Sequence, residues 1–178
     1  MNFLELIRKR RSIRVFKDKE IEAAKMEILK EAVLRAPSSR SLNPWRFIWV
    51  TDRQVLESLA ASKPHGAGFL NRATLGVVVL GDPEVSDVWI EDCSIAAIFL
   101  QLAAQDLGLG SCWVQIRNRE YRGRETAQSY VRKILRIPEN LQVEAIIGLG
   151  YPDEEREPVG QQELEYGKIF SERYFAKL

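Results

Sequence analysis

The chain has few of the side chains that bind metals or form disulfides. Its 178 residues include two cysteines, Cys93 and Cys112, and a single histidine, His65. The cysteines do not form a CxxC pair, so neither a disulfide framework nor a Cys/His metal site is supported. Such sparse cysteine usage favours a reducing compartment, and we expect the protein in the cytoplasm.

Long hydrophobic runs are missing as well. The longest uncharged run of the apolar middle, Cys93 to Gln105, is shorter than the roughly 20 residues of a membrane-spanning helix. The N-terminus lacks the hydrophobic core of a secretory signal, and no GxGxxG motif predicts a Rossmann-type dinucleotide site. We therefore expect a cytoplasmic protein without a membrane partner.

Charge is balanced overall but unevenly distributed. The net formal charge is +1, yet residues 8–19 hold seven Lys or Arg against one acid, and residues 153–165 hold six acids against one Arg. The basic cluster is compact and the rest of the chain is neutral to acidic, so a nucleic-acid partner is not expected. With 46% hydrophobic residues, the chain is long enough for one folded domain over residues 1–178.

Hydrophobic periodicity predicts an alternation of helices and strands. Asp18 is expected to cap the second helix, which must end near Ala36 because Pro37 follows. One sheet covered by helices is the architecture that this order favours. The predicted helices span residues 2–9, 19–36, 53–61, 87–107 and 126–135, and the predicted strands span 45–50, 75–81, 108–116 and 143–150.

Three polar segments could carry chemistry. The first, "RRSIR", places the guanidinium groups of Arg10, Arg11 and Arg14 beside the Ser12 hydroxyl, a combination suited to a phosphate dianion. Taken alone, the segment is more simply explained as a solvated helix end, and a nucleic-acid contact is the less favoured alternative. The second, "APSSRSLNPW", is a polar loop of the kind that surrounds ligands, although a plain connection also fits.

The third segment, "LGLGSCWVQ", follows the long helix. Gly110 would let the backbone approach a ligand closely, while Trp113, Val114 and Gln115 present apolar surface and an amide. Its glycines are equally explained as a helix stop.

In order and spacing, these segments resemble the FMN-dependent nitroreductase family. The resemblance runs through "RRSIRVF", "APSSRSLNPWRFIWV", "AAIFLQLAAQDLGLGSCWVQ" and "AIIGLGYP", which together cover most of the chain. It implies an α+β fold with a mixed, mostly antiparallel sheet flanked by helices. It also implies a homodimer with the long helix at its centre, and a C-terminal tail, about residues 151–178, that extends over the partner.

The resemblance also assigns the cofactor site. It implies that the FMN phosphate and the ribityl and pyrimidine side of the flavin are held by Arg10, Arg11, Ser12 and Arg14. The second subunit would contribute Pro37, Ser38, Ser39 and Asn43. Along the isoalloxazine ring would lie Trp113, Val114 and Gln115. In the C-terminal tail, Lys168 is the candidate residue for binding the FMN phosphate. Ser41 and Asn43 stand where the family usually has Asn and Gln, so hydrogen bonds to the flavin edge would have a shorter reach.

The implied activity is transfer of reducing equivalents from NADH or NADPH through FMN to a small electron acceptor, such as a nitro-aromatic or a quinone, in a ping-pong cycle. No catalytic side chain is required, because the chemistry occurs on the cofactor. The alternative is an FMN-binding protein without turnover, for flavin storage or sensing. A structural or surface role, and not a role in the pocket, is expected for His65, and both cysteines are expected to be buried.

Overall fold

A computed structural model describes residues 2–174. Its helices are α1 (Phe3–Lys9), α2 (Ala23–Leu34), α3 (Arg53–Ala60), α4 (Trp89–Asp106) and α5 (Ala127–Leu135). Its strands are β1 (Trp45–Val50), β2 (Leu75–Gly81), β3 (Gly110–Gln115), β4 (Glu120–Arg122), β5 (Glu125–Thr126) and β6 (Gln142–Gly150). Short 3-10 turns occur at Ser39–Ser41, Gly68–Arg72, Gln161–Glu163 and Tyr166–Lys168.

The main sheet has the strand order β1-β2-β6-β3, and every pairing in it is antiparallel. The central strands β2 and β6 are apolar on both faces, because helices cover both sides of the sheet. One parallel bridge joins Ser12 to Ser111 at the edge strand β3. The predicted α+β class, with a mostly antiparallel sheet flanked by helices, is confirmed.

Each face of the sheet has its own hydrophobic core. On one face α3 and α5 contribute Leu56, Leu59 and Val131. On the other face α2 contributes Leu29 and Val33 beside the small residues of α4. The sheet is therefore the middle layer of three, and its two edges remain uncovered by further strands in the described part of the chain.

Helix α4 is the longest element and packs against the sheet along its length. Its outer side carries Ile95, Ile98 and Phe99, each more than a third exposed, and Phe3 of α1 beside them is 64% exposed. A cavity of about 660 Å³ lined by Phe3, Ile98 and Phe99 lies on this face. Within residues 2–174, no helix combines the length and apolar character that crossing a bilayer would need.

One local prediction was wrong, and one element was not predicted. Helix α2 begins at Ala23 with Glu22 at its N-cap position and without a side-chain cap. Asp18 does not cap it because the preceding residues are held extended, with the Lys17 N–H donating to Tyr151 O, and Asp18 pairs with Arg53 instead. The β4–β5 hairpin was not predicted, since its short charged strands show no hydrophobic alternation.

Candidate functional site

The "RRSIR" residues, 10–14, form an extended basic segment that begins where α1 ends. Ile13 anchors this segment: its N–H donates to Ser111 O at 3.0 Å, and its side chain is buried against β3. A Cβ on Gly110 would lie 2.7 Å from the Ile13 Cβ, which is closer than two carbons can pack. Glycine at position 110 therefore allows the basic segment to approach the sheet.

The acidic stretch after β6 folds back onto the basic segment. The Glu154 carboxylate accepts the N–H of Arg14 at 2.6 Å and the N–H of Val15 at 3.1 Å. These hydrogen bonds, together with one from Arg156, lower the pKa of Glu154 despite partial desolvation. Glu154 thereby fixes the backbone of the basic segment and leaves the Arg14 side chain outside this contact.

The guanidinium groups of Arg10 and Arg14 form no ion pair within residues 2–174. The Arg11 guanidinium donates to the carbonyl of Glu157. Two arginine side chains on one fixed backbone are therefore available to an anion, which is the arrangement that phosphate recognition requires.

Strand β3 continues from this anchor as an unpaired sheet edge. The Ile116 N–H donates to Glu144 O at 3.2 Å, so alternation along the strand turns the N–H and C=O groups of Trp113 and Gln115 away from β6. No strand pairs with them in the part of the chain that the structure describes. We call residues 113–115 the open edge, and its backbone groups can hydrogen-bond to a ligand.

The side chains at the open edge are fixed by one another. The Trp113 Nε1–H donates to Gln115 Oε1 at 2.9 Å, and the Gln115 amide nitrogen donates to Arg117 O at 3.1 Å. Val114 is buried on the opposite face. The Ser12–Ser111 bridge thus places the basic segment beside β3, next to the open edge. That these residues bind one cofactor remains a prediction.

The two cysteines are buried, as expected. Burial raises the pKa of Cys112, and the charge of Arg14, a hydrogen bond with Ser12 and the charge of Arg10 lower it by less. Burial also raises the pKa of Cys93 to about 12. Both thiols therefore remain protonated near neutral pH. His65 is exposed.

The segment 37–44, which we call the serine loop, is tied to the other end of α4. The Ser39 N–H donates to Asp92 Oδ1 at 2.8 Å, and the Ser38 hydroxyl donates to Asn43 Oδ1 at 2.7 Å. Arg40, Ser41 and Asn43 all adopt left-handed φ angles of 50° to 54°. Left-handed conformations of residues other than glycine are unfavourable and concentrate at functional sites.

One protomer does not bring the serine loop to the basic segment. The loop is anchored at Asp92 in the first turn of α4, whereas Gly108 and Leu109, just after its last turn, share a cavity of about 250 Å³ with Arg11 and Ile13. At 1.5 Å per residue, the helix separates these positions by roughly 24 Å. Pro37, Ser38, Ser39 and Asn43 therefore lie apart from the other predicted site residues.

Lys168 also remains apart. It is exposed, its ammonium pairs with Glu165, and no hydrogen bond or ion pair joins it to the basic segment within residues 2–174. The end of the predicted tail, residues 175–178, lies outside the described residues. The role of Lys168 and the position of the tail remain predictions.

Sequence reasoning missed the cation Lys63. Lys63 is half-buried and has no acidic partner within residues 2–174. Burial lowers the pKa of Lys63, the neighbouring Arg119 charge lowers it further, and the Cys112 thiol is close enough to oppose this shift. No sequence motif indicated Lys63, because it approaches β3 only in the folded chain.

The described residues contain no cluster of three or more His, Cys, Asp or Glu suited to a metal ion.

The chain is similar to several known proteins over nearly its whole length. The family model described as the nitroreductase family matches residues 7–65 and 60–151. A protein of Archaeoglobus fulgidus assigned as an NADH dehydrogenase/NAD(P)H nitroreductase is 38% identical over 158 residues, which cover 86% of this chain and 87% of that protein.

Two solved structures share the fold. An FMN-dependent nitroreductase from Clostridium difficile is 43% identical with a TM-score of 0.95, and the match covers 97% of this chain and 100% of that one. A protein of Clostridium acetobutylicum described as an NADH oxidase is 29% identical with a TM-score of 0.85, and the match covers 95% and 99% of the two chains. The names of these relatives agree with the predicted cofactors, FMN and NAD(P)H.

Proposed function

The chain belongs to the nitroreductase family, and from that membership we propose that it is an FMN-dependent oxidoreductase. It takes reducing equivalents from NADH or NADPH and delivers them to a small electron acceptor such as a nitro-aromatic or a quinone. Buried, unpaired cysteines fit the cytoplasmic location that its composition predicts.

The observation that carries this proposal is the junction of the basic segment with the open edge. Arg10 and Arg14, with the Ser12 hydroxyl, suit the phosphate of FMN, and the outward N–H groups of Trp113 and Gln115 suit the acceptor atoms of the ring. These donors follow one another along the edge of the sheet, from the basic segment bridged to Ser111 to the open edge of β3, so a single elongated ligand with a phosphate at one end matches them. When bound, FMN supplies the redox chemistry, in which a hydride is accepted from the nicotinamide and electrons are passed to the acceptor.

The residues of this chain then act by binding and by electrostatics. The cations of the basic segment favour the negative charge that a flavin gains on reduction. The Ser12 bridge and the Glu154 carboxylate keep these cations in place, so little reorganisation is needed when the charge develops. We assign no acid or base catalyst in this proposal.

A homodimer completes the proposed site. The serine loop and the basic segment lie at opposite ends of α4, so a partner whose α4 runs antiparallel would bring its own loop to this basic segment. The apolar side chains on the outer side of α1 and α4, Phe3, Leu4, Ile7, Ile98 and Phe99, are the surface on which we place the interface. In that dimer the tail extends over the partner.

The first test is the colour of the purified protein. We expect a yellow protein whose flavin absorbance bleaches anaerobically with NADH or NADPH and returns when a nitro-aromatic or a quinone is added. Colourless protein that takes up no added FMN would refute the proposal. A yellow protein whose reduced flavin passes electrons to no acceptor would favour flavin storage or sensing instead.

The second test addresses the site. The double variant Arg10→Ala/Arg14→Ala should lose FMN, because both unpaired guanidinium groups are removed. The control Arg8→Ala/Lys17→Ala removes the same charge from exposed positions of the same stretch and should retain FMN. Equal FMN affinity of the two double variants would contradict the assignment of Arg10 and Arg14.

A further inference from the structure

A group of arginines follows the open edge in the chain and has no role in the proposed function. Residues 117–124, "RNREYRGR", hold four arginines against one acid. We call residues 117–126 the basic hairpin, because β4 and β5 pair within it. Its Arg119, Arg122 and Arg124 are exposed, and none of them pairs with a carboxylate within residues 2–174. Such an unbalanced group of guanidinium groups forms a surface that attracts anions.

The acids of the basic hairpin do not neutralise its arginines. Glu125 pairs instead with Lys133 of α5, at 2.7 Å. Glu120 is exposed and forms no ion pair in the part of the chain that the structure describes. The Arg119 guanidinium donates only to the main-chain carbonyl of the residue before it, at 3.3 Å. Most guanidinium N–H groups of the hairpin are therefore available to a ligand.

The basic hairpin is fixed directly beyond the open edge. The Arg119 N–H donates to Ile116 O at 3.1 Å, and Ile116 is the residue after Gln115. On its other side the hairpin is tied to α5, because the Ala127 N–H donates to Arg119 O at 2.8 Å. These two hydrogen bonds keep the base of the hairpin beside the end of β3.

An aromatic stack holds the outer part of the hairpin. The ring centroids of Tyr121 and of Tyr130 on α5 lie 3.9 Å apart, and the Arg122 guanidinium lies 5.2 Å from the centroid of the Tyr121 ring. Arg122 is three residues from Arg119 in the chain, so their Cα atoms lie within about 10 Å of each other. The arginines are thus close enough to the open edge for one extended ligand to contact both.

We propose that Arg122 and Arg124 bind the phosphate groups of the nicotinamide dinucleotide while its nicotinamide ring reaches the flavin, so that this protein favours NADPH over NADH. The inference rests on the proposed function, because it places the flavin at the open edge. Both dinucleotides carry phosphates at a distance from the ring that gives the hydride, whereas a nitro-aromatic or a quinone needs no charge. NADPH carries one more phosphate group than NADH, and neighbouring guanidinium groups suit such a dianion.

The experiment uses the oxidised, FMN-loaded full chain. NADP⁺ and NAD⁺ carry the same phosphates as the two donors and bind without turnover, so isothermal titration calorimetry gives their dissociation constants. Arg122→Ala/Arg124→Ala removes both guanidinium groups, and Arg122→Lys/Arg124→Lys keeps their charge. Glu120→Gln removes the acid that opposes them. All three positions are exposed, and the thermal midpoint verifies that each variant folds.

We expect the alanine double variant to bind NADP⁺ about two- to 25-fold more weakly, since each exposed charge pair contributes a factor of about 1.4 to 5. Its affinity for NAD⁺ should fall by less. The lysine double variant should retain most of the affinity for NADP⁺, and Glu120→Gln should increase it. Added salt should weaken NADP⁺ binding to the natural protein more than to the alanine variant. FMN affinity should stay the same, because the basic segment is intact in all variants.

Unchanged NADP⁺ affinity of the alanine double variant, or equal losses for NADP⁺ and NAD⁺, would overturn the inference. So would a defect confined to turnover of nitrobenzoate compared with uncharged nitrobenzene, since the hairpin would then bind an anionic electron acceptor. Failure of the natural protein itself to bind FMN would instead refute the proposed function.

Discussion

Gly110→Ala should separate the basic segment from the sheet. The new Cβ would lie 2.7, 2.8 and 3.0 Å from three carbons of Ile13, and ordinary contact needs about 3.5–4.0 Å. Ile13 must therefore move by about 1 Å. It is 7% exposed and its N–H is bonded to Ser111 O, so it cannot move without disturbing the core or the Ser12 bridge.

Overpacking of this kind costs about 1–3 kcal/mol. For a chain of this size each kcal/mol lowers the thermal midpoint by about 2–4 °C, so we expect a decrease of about 2–12 °C. FMN affinity should fall as well, because Ser12 and Arg14 move with Ile13. Thermal melting of the apoprotein and titration with FMN, followed by flavin fluorescence, measure the two effects.

Gly68→Ala is the matched control for this experiment. A Cβ at Gly68 meets nothing within 4 Å, so this variant should retain both the thermal midpoint and the FMN affinity. If Gly110→Ala behaved like Gly68→Ala in both measurements, the close approach of Ile13 to β3 would not be what holds the basic segment.

Three further results are expected. Asp92→Ala should cost about 1–3 kcal/mol and weaken FMN binding, because the carboxylate that accepts the Ser39 N–H of the serine loop is lost. Asp52→Ala, which removes the cap of α3, should lower only stability, and equal FMN affinities of the two variants would contradict the role of the loop. Thiol reagents near pH 7 should modify Cys93 and Cys112 only after unfolding, since burial raises the pKa of both thiols; rapid labelling of the native protein would contradict this. The pKa of Glu154 is lowered in the folded state, so the stability that Glu154 contributes is complete above its unfolded pKa of about 4.3 and is lost as the pH falls through its folded pKa. Glu154→Gln should therefore flatten the acid side of the plot of unfolding free energy against pH, measured by urea titration. An unchanged plot would exclude this contribution.

Local pattern was sufficient for the elements whose burial is continuous or strictly periodic. Strands β1 and β2 begin and end where their apolar runs predict, and the predicted long helix starts two residues before α4. The sequence also contained the complete basic segment and the three residues of the open edge, because each group is contiguous in the chain. Family resemblance placed these groups in one site.

Only the tertiary structure decided what approaches these groups from elsewhere in the chain. Asp18 has a side chain suited to a helix cap. It does not cap α2, because the Lys17 N–H beside it donates to Tyr151 O just after β6. Glu144 lies in an apolar strand of the sequence, and its burial, with no hydrogen-bond partner for Oε2 among residues 2–174, follows from the packing of α4 on β6. The length of α4 separates the serine loop from the basic segment. Hydrophobic periodicity reports which face of an element is buried, whereas such encounters depend on how distant elements pack, and no local pattern encodes that.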